Sequence, residues 1–227
     1  MTLATFTCLI PAYNEAARIG GVLAALRHHP LIAETIVIDD GSTDETAKVA
    51  ETFGVRILRT AGNQGKTRAL MHGFGQVATS HVLLLDADLA GLTPDDVTAL
   101  IAPVASGVAV ASISLRGNAP LTWRMIGLDY ISGERAMPTV LVSAYLTSLA
   151  ALPRFGFEVF LNRLLIETGR SVSIVSLPNL ISPSKASKRG RIAGLRADVA
   201  MMRDIFRTIS PFEALHQILA LRRAQCL

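Results

Sequence analysis

Along the first hundred positions, short apolar runs alternate with stretches of helical spacing. Residues 6–10 are such a run, closed by Pro11, and predict a strand. Ile19, Val22, Leu23 and Leu26 then recur at helical intervals, with Asn14 as the expected cap, Glu15 in the first turn and His28-His29 at the helix end. Residues 35–38 predict a second strand running into Asp39-Asp40-Gly41, and a helix is expected from Ser42 or Thr43 to about Thr52. A third strand is predicted over 55–58, followed by a glycine-rich loop and a helix from about Lys66. Residues 82–85 make the fourth, ending in Asp86-Ala87-Asp88, after which Thr93-Pro94 opens a helix with threonine as cap and proline at its first position.

Four apolar runs separated by helices imply a parallel, doubly wound, Rossmann-like α/β sheet covered on both faces. Ligands in such sheets bind beyond the carboxyl ends of the strands. Polar residues stand at every one of those ends: Tyr13-Asn14-Glu15, Asp39-Asp40, Asn63-Gln64-Gly65-Lys66 and Asp86-Ala87-Asp88. They should converge on one edge.

The second half is less regular. Strands are predicted over 108–115, leading to Arg116, and over 172–177. Ile192, Leu195, Val199, Met202, Phe206 and Ile209 outline an amphipathic helix, and Ser210-Pro211-Phe212-Glu213 forms a capping box that opens another. The chain has 227 residues, half of them apolar, enough for a sizeable core and too apolar for disorder. Two cysteines, Cys8 and Cys226, exclude a disulfide scaffold and fit a reducing compartment. No signal peptide is expected, because the N-terminus lacks early positive charge and its apolar run stops at Pro11. The longest uncharged stretch, 136–153, is interrupted by Ser, Thr and Pro and is too short to span a bilayer.

The net charge of +4 is unevenly placed. Residues 1–170 carry 13 Lys/Arg against 15 Asp/Glu, and residues 171–227 carry 9 against 3. Such a basic segment suits nucleic acid, an anionic membrane or a phosphorylated substrate. Nucleic acid is disfavoured because no aromatic residue interleaves the cations of 185–196.

Two aspartates one residue apart at a strand end can share a divalent ion, and their hard oxygens suit Mg²⁺ or Mn²⁺ bridging to phosphates. Alone, such a pair more often caps a turn. At the neighbouring ends, Tyr13 and Glu15 stand where a base and ribose would lie, Asp39 or Asp40 can accept from a ring N–H or hydroxyl, and Lys66 can offset phosphate charge. Each has an ordinary structural reading as core, turn or surface residue, but four such coincidences together are improbable.

The segments Cys8-Leu9-Ile10-Pro11-Ala12-Tyr13-Asn14-Glu15, Val37-Ile38-Asp39-Asp40-Gly41-Ser42-Thr43-Asp44, Asn63-Gln64-Gly65-Lys66 and Leu85-Asp86-Ala87-Asp88-Leu89, in this order, resemble family 2 glycosyltransferases of the GT-A fold. Within that family the chain looks closest to the dolichyl- or polyprenyl-phosphate sugar transferases. The resemblance implies that Pro11, Ala12, Tyr13, Glu15, Asp39, Asp40, Lys66 and Asp86 bind a UDP- or GDP-linked sugar, and that Asp86 and Asp88 hold the metal. One departure is Ala90, where relatives often carry a further polar ligand. Arg116 falls where those relatives carry an arginine that meets the acceptor phosphate, and Arg124, Lys185 and Lys188 are further candidates. Glu134 and Glu158 lie in segments resembling the acceptor side. Either would act as base for a hydroxyl acceptor, whereas a phosphate acceptor needs none. Their alternative is an ion pair with Arg135 or Arg154. Trp123 reads as core rather than as a stacking platform.

The resulting expectation is an inverting, metal-dependent transferase whose catalytic set is Asp88, Arg116, Glu134 and Glu158. Its acceptor would be polyprenyl phosphate or another lipid. Residues 1–190 would form the GT-A domain, with nucleotide-sugar half 1–100 and acceptor half 101–190. Residues 191–227 would be basic amphipathic helices packed on it or on the membrane, which places the protein in the cytoplasm, peripheral to the inner membrane face. A soluble acceptor, such as a phosphorylated metabolite or sugar acid, is the alternative, and a nucleotide-sugar-binding scaffold without turnover is the reading from another class.

Overall fold

The computed structural model describes residues 4–119, 121–149, 156–183 and 210–225. The first half follows the expected alternation: β1 (Phe6–Ala12), α1 (Ile19–Leu26), β2 (Ile32–Asp39), α2 (Thr46–Glu51), β3 (Arg56–Arg59), α3 (Lys66–Phe74), β4 (His81–Leu84) and α4 (Pro94–Ala105). The second half contains β5 (Ala111–Arg116), α5 (Leu121–Ile126), β6 (Arg135–Pro138), α6 (Val140–Ser143), α7 (Leu146–Leu149), α8 (Gly156–Glu167), β7 (Val172–Leu177) and α9 (Pro211–Arg223). Among the described residues, seven strands make one sheet in the order β3-β2-β1-β4-β6-β5-β7. Every neighbouring pair is parallel except those of β6, which is antiparallel to both β4 and β5.

The central strands are apolar throughout because both faces are covered. Successive side chains of β1 and β2 divide between two cores. Leu9, Ile36 and Ile38 join Leu70, Phe74 and Phe157 on one face, and Cys8, Ile10 and Val37 join Ile19, Leu23 and Ile101 on the other. α9 closes the first face through Ile218 and Leu221, and the Tyr130 hydroxyl donates to Gln217 Oε1 at 2.6 Å.

Several local expectations change. Asn14 does not cap α1, which starts after Arg18. Asn14 instead has positive φ (56°), and its Oδ1 accepts from the Thr43 N–H at 2.9 Å. The N–H groups of Asn14 and Glu15 donate to Ser42 Oγ and Thr46 Oγ1 at 3.0 and 2.8 Å, so the first two strand-end loops are stitched together. The histidine pair lies beyond α1, where His28 has positive φ and His29 is buried, 3.0 Å from Thr98 Oγ1. α4 has the full capping box of Thr93 and Asp96. α9 has half of one: Ser210 Oγ accepts from the Glu213 N–H, but the Glu213 carboxylate turns to Arg163 and Gln217. Trp123 packs against the core, its ring 6.0 Å from that of Tyr130. The amphipathic helix expected over 192–209 lies outside the described residues.

Strand β6 was not anticipated from the sequence. It is four residues long, begins with arginine and ends with proline, and has no hydrophobic signature of its own. Its direction matters for the site. An antiparallel strand starts at the edge where its parallel neighbours finish, and Arg135 stands opposite Leu84 at the end of β4. The loop entering β6 is thereby delivered beside Asp86.

At the opposite flank of that edge, Gly41 has φ 73° and a Cβ there would stand 2.5 Å from Gly62 Cα. A left-handed alanine and a backbone overlap act together, so Gly41→Ala should cost ~1–3 kcal/mol or more, read as a lowered midpoint in chemical denaturation. An unchanged midpoint would show that this close approach is not a constraint.

Candidate active site

The carboxyl edge encloses a cavity of about 230 Å³. Pro11, Ala12, Tyr13, Glu15, Asp40, Lys66, Asp86 and Asp88 all line it, so four loops separated in sequence do meet. Tyr13 is 40% exposed, which leaves its ring face open at the rim rather than buried in the core.

The two aspartates ending β2 divide the work. Asp39 is fully buried and does not line the cavity. Its Oδ1 accepts from the Ser42 N–H at 2.9 Å, and its Oδ2 lies 2.9 Å from Arg59 Nε, the residue beside it on β3. Asp40 holds the glycine-rich loop. Its Oδ1 accepts from Thr60 Oγ1 and the Gln64 N–H, and its Oδ2 from the Gly65 N–H at 2.7 Å. Charge-assisted bonds of this kind are the strong ones, and they fix Gly65, whose φ of 92° turns the chain into α3.

Lys66 follows as the first residue of α3. Its Nζ lies 2.6 Å from Asp86 Oδ1 and 2.8 Å from Glu158 Oε1. Burial works against this ammonium, but the two carboxylates outweigh it and hold the pKa above lysine's ordinary value. Glu158 therefore pairs with Lys66, and no ion pair joins it to Arg135; Arg154 lies outside the described residues. Its position in the first turn of α8 ties the second half of the chain to the first.

Beneath the cavity lies a second charged group. Arg116 donates from Nε and Nη2 to Asp129 Oδ2 at 3.1 and 2.8 Å and stands 3.6 Å from Glu134 Oε2. Its side chain is only 12% exposed, so the guanidinium is committed to these partners. Glu134 is fully buried, and its Oε2 accepts from Ser114 and Ser132 hydroxyls, each at 2.7 Å. Glu134 Oε1 and Asp129 Oδ1 have no hydrogen-bond partner among the described residues. Burial raises the Glu134 pKa, and Arg116 only partly offsets it. Glu134 neither lines the cavity nor reaches solvent, an arrangement suited to support rather than to direct proton transfer.

The loop between Asp129 and β6 is held from behind by Arg135, which is 1% exposed. Its guanidinium donates to Ser132 O, Tyr130 O and Asn162 Oδ1 at 2.8, 3.2 and 2.7 Å. Held in this way, Gly133 presses on the site, where a Cβ would stand 2.5 Å from Lys66 Nζ and 2.8 Å from both Asp86 carboxylate oxygens.

Asp88 faces the segment after β7, with Ser182 Oγ 3.5 Å from its Oδ1. Ala90 exchanges backbone hydrogen bonds with Ile181 at 2.8 and 2.9 Å, so this segment crosses the position that lacks the further polar ligand. Among the described residues, no group of three His, Cys, Asp or Glu surrounds the pair. Of the acceptor-side cations, Arg124 is exposed on α5, while Lys185 and Lys188 lie outside the described residues. Sequence reasoning missed Asp129, Ser114 and Asn162, none of which carries a motif. Ser132, Gly133 and Arg135 fall in the segment around Glu134 that resembles the acceptor side, and that was the one signal available for them.

A mostly parallel sheet whose carboxyl edge gathers an aromatic residue, a lysine and a pair of carboxylates around one cavity has the form of a strand-end ligand crevice. The comparisons make the class specific. Residues 7–155 match the family described as Glycosyl transferase family 2, and the chain belongs to that family. The 4,4'-diaponeurosporenoate glycosyltransferase of Staphylococcus aureus (strain bovine RF122 / ET3-1) is 35% identical over 102 residues, covering 43% of this chain and 27% of that protein. Its counterpart in strain USA300 is 36% identical over 100 residues, 42% of this chain and 27% of that one. The match therefore spans about a quarter of these relatives' length.

Among solved structures, glucosyl-3-phosphoglycerate synthase from Mycobacterium tuberculosis with Mn²⁺, UDP and glucosyl-3-phosphoglycerate superposes with a TM-score of 0.68 at 22% identity, covering 90% of this chain and 80% of that one. The same synthase with Mn²⁺ and UDP-glucose gives 0.65 at 24% identity, with 88% and 78% covered. The mixed, mostly parallel seven-stranded sheet is thus the GT-A fold. The relatives found do not single out the polyprenyl-phosphate group.

Glu134 gives a pH test of this geometry. A carboxyl whose pKa is higher folded than unfolded contributes stability below glutamate's ordinary 4.5 and loses it as pH rises toward the folded value. Glu134→Gln should flatten that decline, so the gap in unfolding free energy between variant and parent shifts toward the variant from pH 4 to pH 8. Parallel profiles would mean that Glu134 is not held protonated by burial.

Proposed function

We propose that this chain is a metal-dependent glycosyltransferase that moves a sugar from a nucleotide sugar to an anionic acceptor. The observation that carries the reading is that Tyr13, Glu15 and Asp40 line one cavity together with Lys66, Asp86 and Asp88. That span suits a nucleoside at one end and a sugar diphosphate at the other. UDP is the first nucleotide to test, because the synthase structures are described as complexes with UDP or UDP-glucose.

Asp86 and Asp88 are adjacent hard-oxygen donors open to the cavity, a donor set that fits Mg²⁺ or Mn²⁺. A divalent ion there would offset the charge developing on the leaving diphosphate. The remaining work falls to the chain. Tyr13 and the backbone of Pro11-Ala12 seat the nucleoside, with Glu15 and the Asp40-anchored loop fixing its register. Asp39 acts from beneath through Ser42 and Arg59. The loop 129–134, braced by Arg116, Glu134 and Arg135, forms the floor against which the sugar lies. The acceptor oxygen attacks the anomeric carbon opposite the departing nucleotide, with inversion.

An ionised phosphate or carboxylate attacks without a protein base, whereas a hydroxyl acceptor would need one, and Glu158, 2.8 Å from Lys66 Nζ, is the candidate. Both groups of relatives carry acidic acceptors in their names, a carotenoid acid in one and phosphoglycerate in the other. Polyprenyl phosphate is the lipid form of such an acceptor. The exposure of Phe212 and Leu219 on α9, whose last turn carries Arg222 and Arg223, favours a peripheral membrane contact at the cytoplasmic face. No helix among the described residues is long and apolar enough to cross a membrane. Arg124, with Lys185 and Lys188, would meet the acceptor anion, and Arg116 acts through the floor. A small phosphorylated acid is the second reading, favoured by the fold match over 90% of the chain.

The test is transfer from a panel of UDP- and GDP-sugars with Mn²⁺, to polyprenyl phosphate and separately to phosphoglycerate. Asp88→Ala should lower turnover by ~100-fold or more. Undiminished turnover removes the metal role, transfer to phosphoglycerate alone removes the lipid acceptor, and binding with neither transfer nor hydrolysis marks a scaffold.

A further inference from the structure

Lys66 binds two carboxylates that belong to different parts of the fold. Asp86 follows β4, and Glu158 lies in the first turn of α8. The ammonium is 2.6 Å from Asp86 Oδ1 and 2.8 Å from Glu158 Oε1. Its backbone is immobilised, because Asp40 holds the preceding Gly65 N–H and the Ala69 N–H closes the first turn of α3 onto Gly65 O. Glu158 is likewise set in a buried helix face, 7% exposed between Phe157 and Val159. The flexible part of the triad is the four-carbon stem of Lys66. Gly133 closes the space on one side, since even a Cβ there would overlap both the ammonium and the Asp86 carboxylate.

An ammonium 2.6 Å from Asp86 Oδ1 competes with a divalent ion for that carboxylate. Two cations held that close on one carboxylate repel each other. The ammonium need not leave the site, however, because Glu158 offers a second anion within reach of the same stem. We infer that Lys66 is a resident cation of Asp86 that a divalent ion displaces onto Glu158. Glu158 thereby sets the metal affinity of the Asp86–Asp88 pair without touching the metal. This rests on the metal reading above and deepens it, making Glu158 a positioning residue that acts through Lys66. It also links the acceptor-side helix α8 to the loading of the donor site.

The test is direct Mn²⁺ binding, read as loss of the free-ion signal in electron paramagnetic resonance, on the full chain without sugar nucleotide. Lys66→Met should bind Mn²⁺ about tenfold more tightly, and Glu158→Gln about tenfold more weakly, because its Lys66 has Asp86 alone. The deciding measurement is the double variant. If Glu158 acts through Lys66, then Glu158→Gln leaves Mn²⁺ affinity unchanged in the Lys66→Met background. An equal weakening in both backgrounds means a through-space charge effect and overturns the displacement. So does Mn²⁺ binding that Asp88→Ala abolishes but Lys66→Met fails to tighten. No Mn²⁺ binding in any variant overturns the metal reading together with this one. Lys66→Gln, which keeps a polar side chain between the carboxylates, serves the same cycle if Lys66→Met does not fold.

Discussion

The Asp40 carboxylate is the interaction on which the geometry of the site depends. It is 3% exposed, and its two oxygens take the Gln64 and Gly65 N–H groups and the Thr60 hydroxyl. A buried carboxylate is costly unless its lone pairs are filled, and buried amides are costly unless accepted, so each solves the other's problem. Because Gly65 is held there, α3 begins at Lys66 and the lysine enters the cavity. Because the Asp40 N–H donates to Ala12 O at 2.8 Å, the same residue also locks the end of β1 to the end of β2. Three loops far apart in sequence thus share one anchor, and the aromatic and cationic sides of the cavity hold a fixed separation.

A second layer of buried charge supports the other side. Arg116 and Ser114 of β5 hold Asp129, Ser132 and Glu134 of the loop that presses Gly133 against Lys66 and Asp86. Arg135 has only neutral acceptors for its guanidinium and makes no ion pair among the described residues. Burial accordingly moves its pKa below arginine's ordinary value. Such groups are a poor source of net stability, since desolvation offsets much of the attraction. Their use here is to give an irregular loop one position. A floor built from apolar packing alone would leave the backbone carbonyls of Tyr130 and Ser132 without donors.

The first hundred residues were legible because the inner parallel strands are buried on both faces and each strand ends in its own polar signature. The pattern therefore announced both the element and the edge at which its loop emerges. The DxD pair, Tyr13, Glu15 and Lys66 were singled out for their chemistry, and the sheet brings them around one cavity. The second half was less legible for physical reasons. β6 is short, charged at one end and proline-terminated at the other, so it satisfies no periodicity. Asn14 looked like a helix cap because its side chain is suited to one, but the same acceptor is used across space by Thr43. His29 looked like a helix-end charge, yet it is buried against Thr98 of α4.

What the sequence by itself determined is the set of chemical groups and the edge of the sheet on which they meet. Strand direction and side-chain alternation are local properties, written in every few residues. What only the tertiary structure decided is which carboxylate each cation takes. Arg116 was expected to face an acceptor and instead serves Asp129 and Glu134 beneath the cavity, while Lys66 bridges Asp86 and Glu158 across 92 positions of chain. Ion pairing depends on distance and burial in space, which neither local periodicity nor motif spacing specifies.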